Sequence, residues 1–210
     1  FPVRLESSMA NILATLPLLF VYPMALAGIS HALGRRVARK NRQLERLNRI
    51  DVLTGLPNRR GWNEALAAEL ARHAETRRPA VLMLLDVDNL TAVNARHGHA
   101  AGDAVLCCVA SVLRARARPI DTPARLTGDG FGLLLAEATL GDAARVAEEV
   151  RAAFVAARGP QAAAEDCTLS IGLAGADLSV VTAEEWITRA DMAVCRAKAR
   201  GRDRVEFDAS

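Results

Sequence analysis

Two short acidic stretches have the residue types and spacing to do chemistry. The first is Asp86-Val87-Asp88, which closes the apolar run AVLMLLDV from Ala80 to Val87. The second is Thr127-Gly128-Asp129-Gly130, set between two strand-like runs in ARLTGDGFGLLLAE, residues 124–137. Carboxylates at the end of a buried strand are well placed to grip Mg²⁺, a hard cation that prefers oxygen ligands. An acid held in a nearby turn would serve the same metal and a phosphate. Each stretch also has a plainer alternative. A strand-end Asp often caps the next helix, and Asp129-Gly130 is a favoured type I′ hairpin dipeptide.

The elements that must position these residues alternate between helix and strand signals from Asp51 onward. Trp62, Leu66 and Leu70 mark one helix face, and Ala80 to Val87 reads as a buried strand. Val105, Leu106, Val109, Val112 and Leu113 stripe a second helix; Val146, Val150 and Phe154 a third; Trp186, Ile187, Ala190 and Val194 a last one. The run CTLSIGLAG is a further strand, and RVEFD closes the chain. The pattern predicts an α/β (α+β) domain over residues 51–210, with a central, mostly antiparallel sheet flanked by helices.

Upstream, no Asp, Glu, Lys or Arg occurs from Ser7 to Gly34, a stretch longer than the roughly 20 apolar residues that cross a bilayer. Residues 1–34 are therefore expected to hold a transmembrane helix, kinked at Pro17 and Pro23. The basic cluster that begins at Arg35 then puts the domain in the cytoplasm, at the inner (cytoplasmic) membrane. Residues 35–50 read as a basic linker helix striped by Val37, Leu44 and Leu47. Either a short coiled coil or a solvated juxtamembrane helix fits that stripe. Phe1 in place of an initiator Met suggests the C-terminal part of a longer protein.

Half of the 210 residues are apolar, which excludes a disordered tail. The four cysteines, Cys107, Cys108, Cys167 and Cys195, lack CxxC spacing and sit in apolar patterns, as free thiols in a reduced compartment do. With His31, His73, His97 and His99 they form no zinc pattern. The net charge of +3 hides a local basic excess, and with only 4% aromatic residues nucleic-acid binding is not expected.

Five blocks occur in order: DVLTGLPNRRGW from Asp51, DVDNLTAVNARHGHAAGDAVL from Asp86, RLTGDGF from Arg125, LSIGLA from Leu169 and RADMAVCRAKARGRDRV from Arg189. Together they resemble the GGDEF family of diguanylate cyclases over the whole chain after about Asp51. The membrane helix and basic linker are similar to the end of the sensor regions that often precede such domains. The resemblance implies a palm-like domain that binds one GTP with Mg²⁺ (or Mn²⁺). Two such domains meet as a homodimer, and each GTP is attacked by the ribose hydroxyl of the other to give cyclic di-GMP and pyrophosphate.

By the same resemblance, Asp86 and the Val87 carbonyl are metal ligands, and Asp129 serves metal and catalysis. Asn94 and Asp103 read the guanine edge, and Lys198 and Arg202 hold the triphosphate. Arg118-Pro119-Ile120-Asp121 matches the RxxD motif at which family members bind cyclic di-GMP as an inhibitor, with Arg118 and Asp121 as its pair. Glu149 stands where the family often adds another arginine, so that Arg145 or Arg151 would have to reach in.

The signature itself departs from the family. Thr127 replaces its first glycine, Gly130 its fourth, acidic position, Thr91 a phosphate-binding lysine, and Cys195 the usual tyrosine. Thr127 should crowd the nucleotide where glycine lets backbone approach, and Gly130 brings no metal ligand. The expectation is a membrane-anchored, degenerate GGDEF protein with weak or no cyclase activity that binds cyclic di-GMP at RxxD. A working cyclase, and a GTP-binding or partner-regulating module without turnover, are the alternatives.

Overall fold

In the computed structural model of the chain, residues 49–158, 167–176 and 182–208 are described. The expected membrane segment over 1–34 lies outside them, as does all but the end of the expected linker helix over 35–50. Among the described residues, no helix is long and apolar enough to cross a membrane.

The chain runs α1 (Arg59–Thr76), β1 (Ala80–Val87), α2 (Leu90–His97), α3 (His99–Arg116), β2 (Thr122–Arg125), β3 (Gly130–Ala136), α4 (Leu140–Ala157), β4 (Leu169–Gly175), α5 (Ala183–Ala199) and β5 (Arg204–Phe207). The start of α1 is set by Asn58, whose side chain accepts from the Arg60 and Gly61 amides. Its end is set by Arg77 in the left-handed region (φ 58°). Thr139 and Asp142 close a capping box at the head of α4.

The strands form one mixed sheet in the order β2-β3-β1-β4-β5. β1 pairs antiparallel with β3 and β4, and β2 with β3. Only β4 and β5 run parallel, because α5 crosses between them. The expected, mostly antiparallel sheet is thus what the domain has.

Alternation along the central strand divides the interior. Val81, Met83, Leu85 and Val87 face Val109, Leu113, Val150 and Phe154 from α3 and α4. Leu82 and Leu84 face Trp62 and Leu66 from α1 and Trp186, Ala190 and Val194 from α5. Both sides being buried explains why β1 reads as an unbroken apolar run.

On the α1/α5 side, two glycines flank Leu84 across the sheet, Gly132 in β3 and Gly172 in β4. A Cβ at Gly132 would meet the Trp62 ring, and one at Gly172 would fall on the Ala190 carbonyl and the Val194 amide of α5. At Gly172 helix and sheet touch through backbone, which cannot yield as a side chain can. Gly172→Ala is expected to cost about 1–3 kcal/mol through overpacking. Gly128→Ala, with nothing within 4 Å of the added carbon, should stay within about 0.5 kcal/mol of wild type. Urea unfolding of the two variants checks both.

Candidate functional site

The two acidic stretches meet at one edge of the sheet. Register sets Asp86 of β1 directly opposite Gly130 of β3, and the Val87 amide donates to the Asp129 carbonyl at 3.1 Å. The turn joining β2 to β3 is not type I′, because neither Asp129 nor Gly130 has the positive φ that such a turn requires. Instead the Leu126 and Thr127 amides both donate to the Gly130 carbonyl. The Gly130 amide donates back to the Thr127 hydroxyl at 3.0 Å. The threonine that breaks the glycine signature thus closes the loop itself.

Arg125 clamps this loop from outside. Its Nη2 donates to the Gly128 carbonyl at 2.7 Å and its Nη1 to Asp51 Oδ1 at 3.2 Å. Asp51 in turn accepts from the Thr54 amide at 2.9 Å and hydroxyl at 2.6 Å. Burial works to raise the Asp51 pKa, yet the Thr54 and Arg125 contacts outweigh it and hold the carboxyl below its ordinary range. The first sequence block is therefore a support for the hairpin. The Asp51-x-x-Thr54 spacing, which lets the carboxylate accept from an amide three residues on as a helix N-cap does, was its legible signal.

Lys198, in the last turn of α5, reaches Asp86 with Nζ 2.8 Å from Oδ1. Burial raises the Asp86 pKa, helped by repulsion from Asp129 and Asp88, and the lysine returns only part of the lost hydration. Burial pulls Lys198 the other way, but Asp86, backed by Asp129 and Asp88, leaves its pKa raised.

Asp88 does different work. It is buried, and it accepts from the Thr168 hydroxyl at 2.7 Å, the Ser170 hydroxyl at 2.8 Å and the Asp203 amide at 3.4 Å. It ties β1, the start of β4 and the α5–β5 turn together. Arg202 sits in that turn at φ 63°, its Nε 3.8 Å from Asp88 Oδ1 and its side chain half exposed. The expected phosphate pair, Lys198 and Arg202, is thus brought to the strand end that carries Asp86.

Asn94 lies on α2 and Asp103 on α3, close to the join of the two helices. Asn94 Oδ1 is buried without a hydrogen-bond partner, and a Cβ at Gly102 would collide with it. An orphaned acceptor of this kind suits an incoming N–H donor such as a guanine edge. Asp103, Thr91 and Cys195 are exposed. Beside Gly130, a cavity of about 300 Å³ is lined by Arg59, Trp62, Asp86, Thr127 and Asp191, among others. None of Arg59, Trp62 or Asp191 was singled out as a site residue in the sequence.

At the far end of the β2–β3 hairpin, Arg118 and Asp121 form a tight pair. Arg118 donates from its backbone amide (2.8 Å) and Nε (2.9 Å) to Oδ2, and from Nη2 to Oδ1 (2.8 Å). Oδ1 also accepts from the Ala136 amide at 3.3 Å. The Asp121 side chain is only 1% exposed, so its oxygens orient the arginine, and the half-exposed guanidinium is the group that faces outward. Glu149 is neutralised by Arg145 at 2.7 Å, with Arg116 at 3.5 Å. Arg151 is turned away to Glu148 and Asp203.

As a site for two divalent cations the residues do not fit. Gly130 adds no oxygen opposite Asp86, Lys198 already covers one Asp86 oxygen, and Asp88 is spent on structure. Among the described residues, no group of three or more His, Cys, Asp or Glu side chains is assembled to hold a metal ion.

Comparison with known proteins gives the family. Residues 48–204 match the family model described as diguanylate cyclase, GGDEF domain. A probable diguanylate cyclase, DgcC of Escherichia coli (strain K12), is 27% identical over 195 residues, covering 93% of this chain and 53% of its own. Diguanylate cyclase DgcP of Pseudomonas aeruginosa is 38% identical over 160 residues, covering 74% of this chain and 23% of its own. The chain therefore spans about half the length of the first relative and less of the second. The crystal structure of the coiled coil and GGDEF domain of DgcB from Caulobacter crescentus, in complex with c-di-GMP, superposes with TM-score 0.70 and 30% identity. It covers 87% of this chain and 97% of that one.

The two aspartates of β1 should separate on mutation. Asp88→Ala strands two hydroxyls and an amide, at an expected cost of about 2–3 kcal/mol. Asp86→Ala removes a partly exposed ion pair and should cost under about 1 kcal/mol. Urea unfolding midpoints for the two variants distinguish them.

Proposed function

The chain belongs to the GGDEF domain family of diguanylate cyclases, and from that premise we propose that it works in cyclic di-GMP signalling as a degenerate member with weak or no cyclase activity. The observation that carries this reading is the pairing of Asp86 with Gly130. In the family signature an acid stands at position 130; a glycine there leaves one carboxylate fewer to hold the cations that would neutralise GTP phosphate. Phosphoryl transfer depends above all on positioning and charge neutralisation, so the loss falls on the step that most needs it.

What remains supports holding nucleotide. Asn94 and Asp103 are the residues proposed to read the base, and the buried Asn94 oxygen lacks a donor. Lys198 and Arg202 offer positive charge to phosphate at the end of β1. Magnesium or manganese, if bound, would rest on Asp86, the Val87 carbonyl and Asp129, a weaker set than the family signature provides.

Arg118 is proposed as the group that binds cyclic di-GMP. Its Nε and Nη2 are held by Asp121, and Nη2 also donates to the Ala136 carbonyl at 2.6 Å. The guanidinium is thereby oriented before any ligand arrives, which lowers the entropy cost of binding phosphate. DgcB, whose structure holds c-di-GMP, is a relative in which a GGDEF domain binds that dinucleotide.

We further propose homodimerisation, since each cyclase site of this family needs two domains. The uncharged stretch from Ser7 to Gly34 and the basic cluster after it support anchoring to the inner membrane, with the domain in the cytoplasm.

Incubation with GTP and Mg²⁺ tests the catalytic half of this reading. The wild type should make little or no cyclic di-GMP, and Thr127→Gly combined with Gly130→Glu should raise turnover by about tenfold or more. Abundant product from the unaided wild type would restore the working-cyclase alternative. Calorimetry with cyclic di-GMP tests the other half, where Arg118→Ala should weaken binding by about 10- to 100-fold. Absence of both turnover and binding would favour a partner-regulating module.

A further inference from the structure

We propose that Lys198 is a tethered cation standing in for a divalent ion between Asp86 and nucleotide phosphate, and that Thr127 and Gly130 are one interlocked pair that maintains this arrangement, so that the pocket takes guanosine di- and triphosphates without metal. The inference rests on the nucleotide-binding reading above and specifies the chemistry of that site.

The ammonium of Lys198 lies 2.8 Å from Asp86 Oδ1. An ammonium has three N–H donors, so this contact leaves capacity for phosphate oxygens. A carboxylate–cation–phosphate bridge is the arrangement a bound divalent ion would make, and here the cation is covalently part of α5. Its position is fixed from both sides. Asp86 is held in the centre of the sheet by β3 and β4, and Asp88 anchors the turn that follows α5 through the Asp203 amide.

The second half of the argument is the loop. Residue 130 stands across the strand pair from Asp86, where a side chain would come within about 5 Å of it on the same face. The Thr127 hydroxyl accepts from the Gly130 amide at 3.0 Å. The same hydroxyl oxygen stands too close to where a Cβ on residue 130 would be for both to keep their places. The threonine rotamer seen here and any side chain at 130 therefore exclude each other. A carboxylate could return to position 130 only if Thr127 rotated away and gave up its hydrogen bond. The two departures from the signature are thus one structural change, and restoring either alone leaves the loop in conflict or the ligand missing. With no oxygen offered from β3, Lys198 is the cation that Asp86 keeps.

The test is calorimetry with GDP and with a non-hydrolysable GTP analogue, each in EDTA and in excess Mg²⁺. The wild type is expected to bind with affinities that agree within about twofold between the two buffers. Lys198→Met should weaken binding in EDTA by about tenfold or more. Thr127→Gly combined with Gly130→Glu should bind about tenfold tighter in Mg²⁺ than in EDTA, and Gly130→Glu alone should gain less. Wild-type binding at least about tenfold tighter in Mg²⁺ would overturn the proposal while leaving the nucleotide-binding reading intact. Absence of binding in both buffers would overturn that reading and this proposal with it. A titration of nucleotide-free protein with Mn²⁺, followed by electron paramagnetic resonance, gives a readout without nucleotide. Free Mn²⁺ with the wild type and bound Mn²⁺ with the double variant are expected, and equal binding by both would overturn the interlock.

Discussion

The cross-strand register of β1 with β3 is the constraint on which the rest of this domain's chemistry depends. It fixes which residue stands opposite Asp86, and a slip of one position would turn every side chain of β1 to the other helical layer. Such a slip is blocked by the two unlike cores. Leu82 and Leu84 fit the α1/α5 layer because Gly132 and Gly172 make room beside them, whereas Val81, Met83 and Leu85 fill the other. The positions of Asp86 and Gly130 are therefore consequences of packing several residues away, and the site inherits the rigidity of the sheet centre.

Charge at the strand end is sorted by burial. Asp88 can remain buried because hydroxyls and an amide satisfy it, as a desolvated carboxylate requires. Asp86 is only part-buried and takes a flexible ammonium instead. The two acids, two positions apart at the end of one strand, are thus a structural clamp and a chemical group, and a motif read as one acidic pair is physically two different things.

The periodic part of the fold was legible in the sequence. The run from Ala80 to Val87 became β1 residue for residue, and the stripes on α3 and α5 became buried faces, because burial alternates with a local period that the chain must display. The site was less legible where the deciding contact is remote. The donors that occupy Asp88 lie 80, 82 and 115 positions away. The turn at Asp129-Gly130 failed the local rule for a type I′ dipeptide because Thr127 and Arg125 supply hydrogen bonds that the rule does not count. The enclosure of Asp121 by its own arginine and by the Ala136 amide, 15 positions on, likewise has no local signal.

That last contact bears on how the two candidate sites can communicate. Arg118 and Asp121 are fastened to Ala136, and the signature loop ends at Gly130, so both sites hang on the one strand β3, which runs from Gly130 to Ala136. At about 3.3 Å per residue the two ends are roughly 20 Å apart. Between them Phe131, Leu133, Leu134 and Leu135 are buried, and a strand packed on both faces does not stretch or slide by small amounts. A ligand gripping Arg118 therefore has no flexible path to the loop through β3. On the proposed reading, control from Arg118 would act by moving the domain as a body, which in a site shared between two domains means fixing how they face each other. Such control would leave the turn that carries Arg118 and Asp121 free of any need for an intact signature, so the pair and the loop at Gly130 are physically separable.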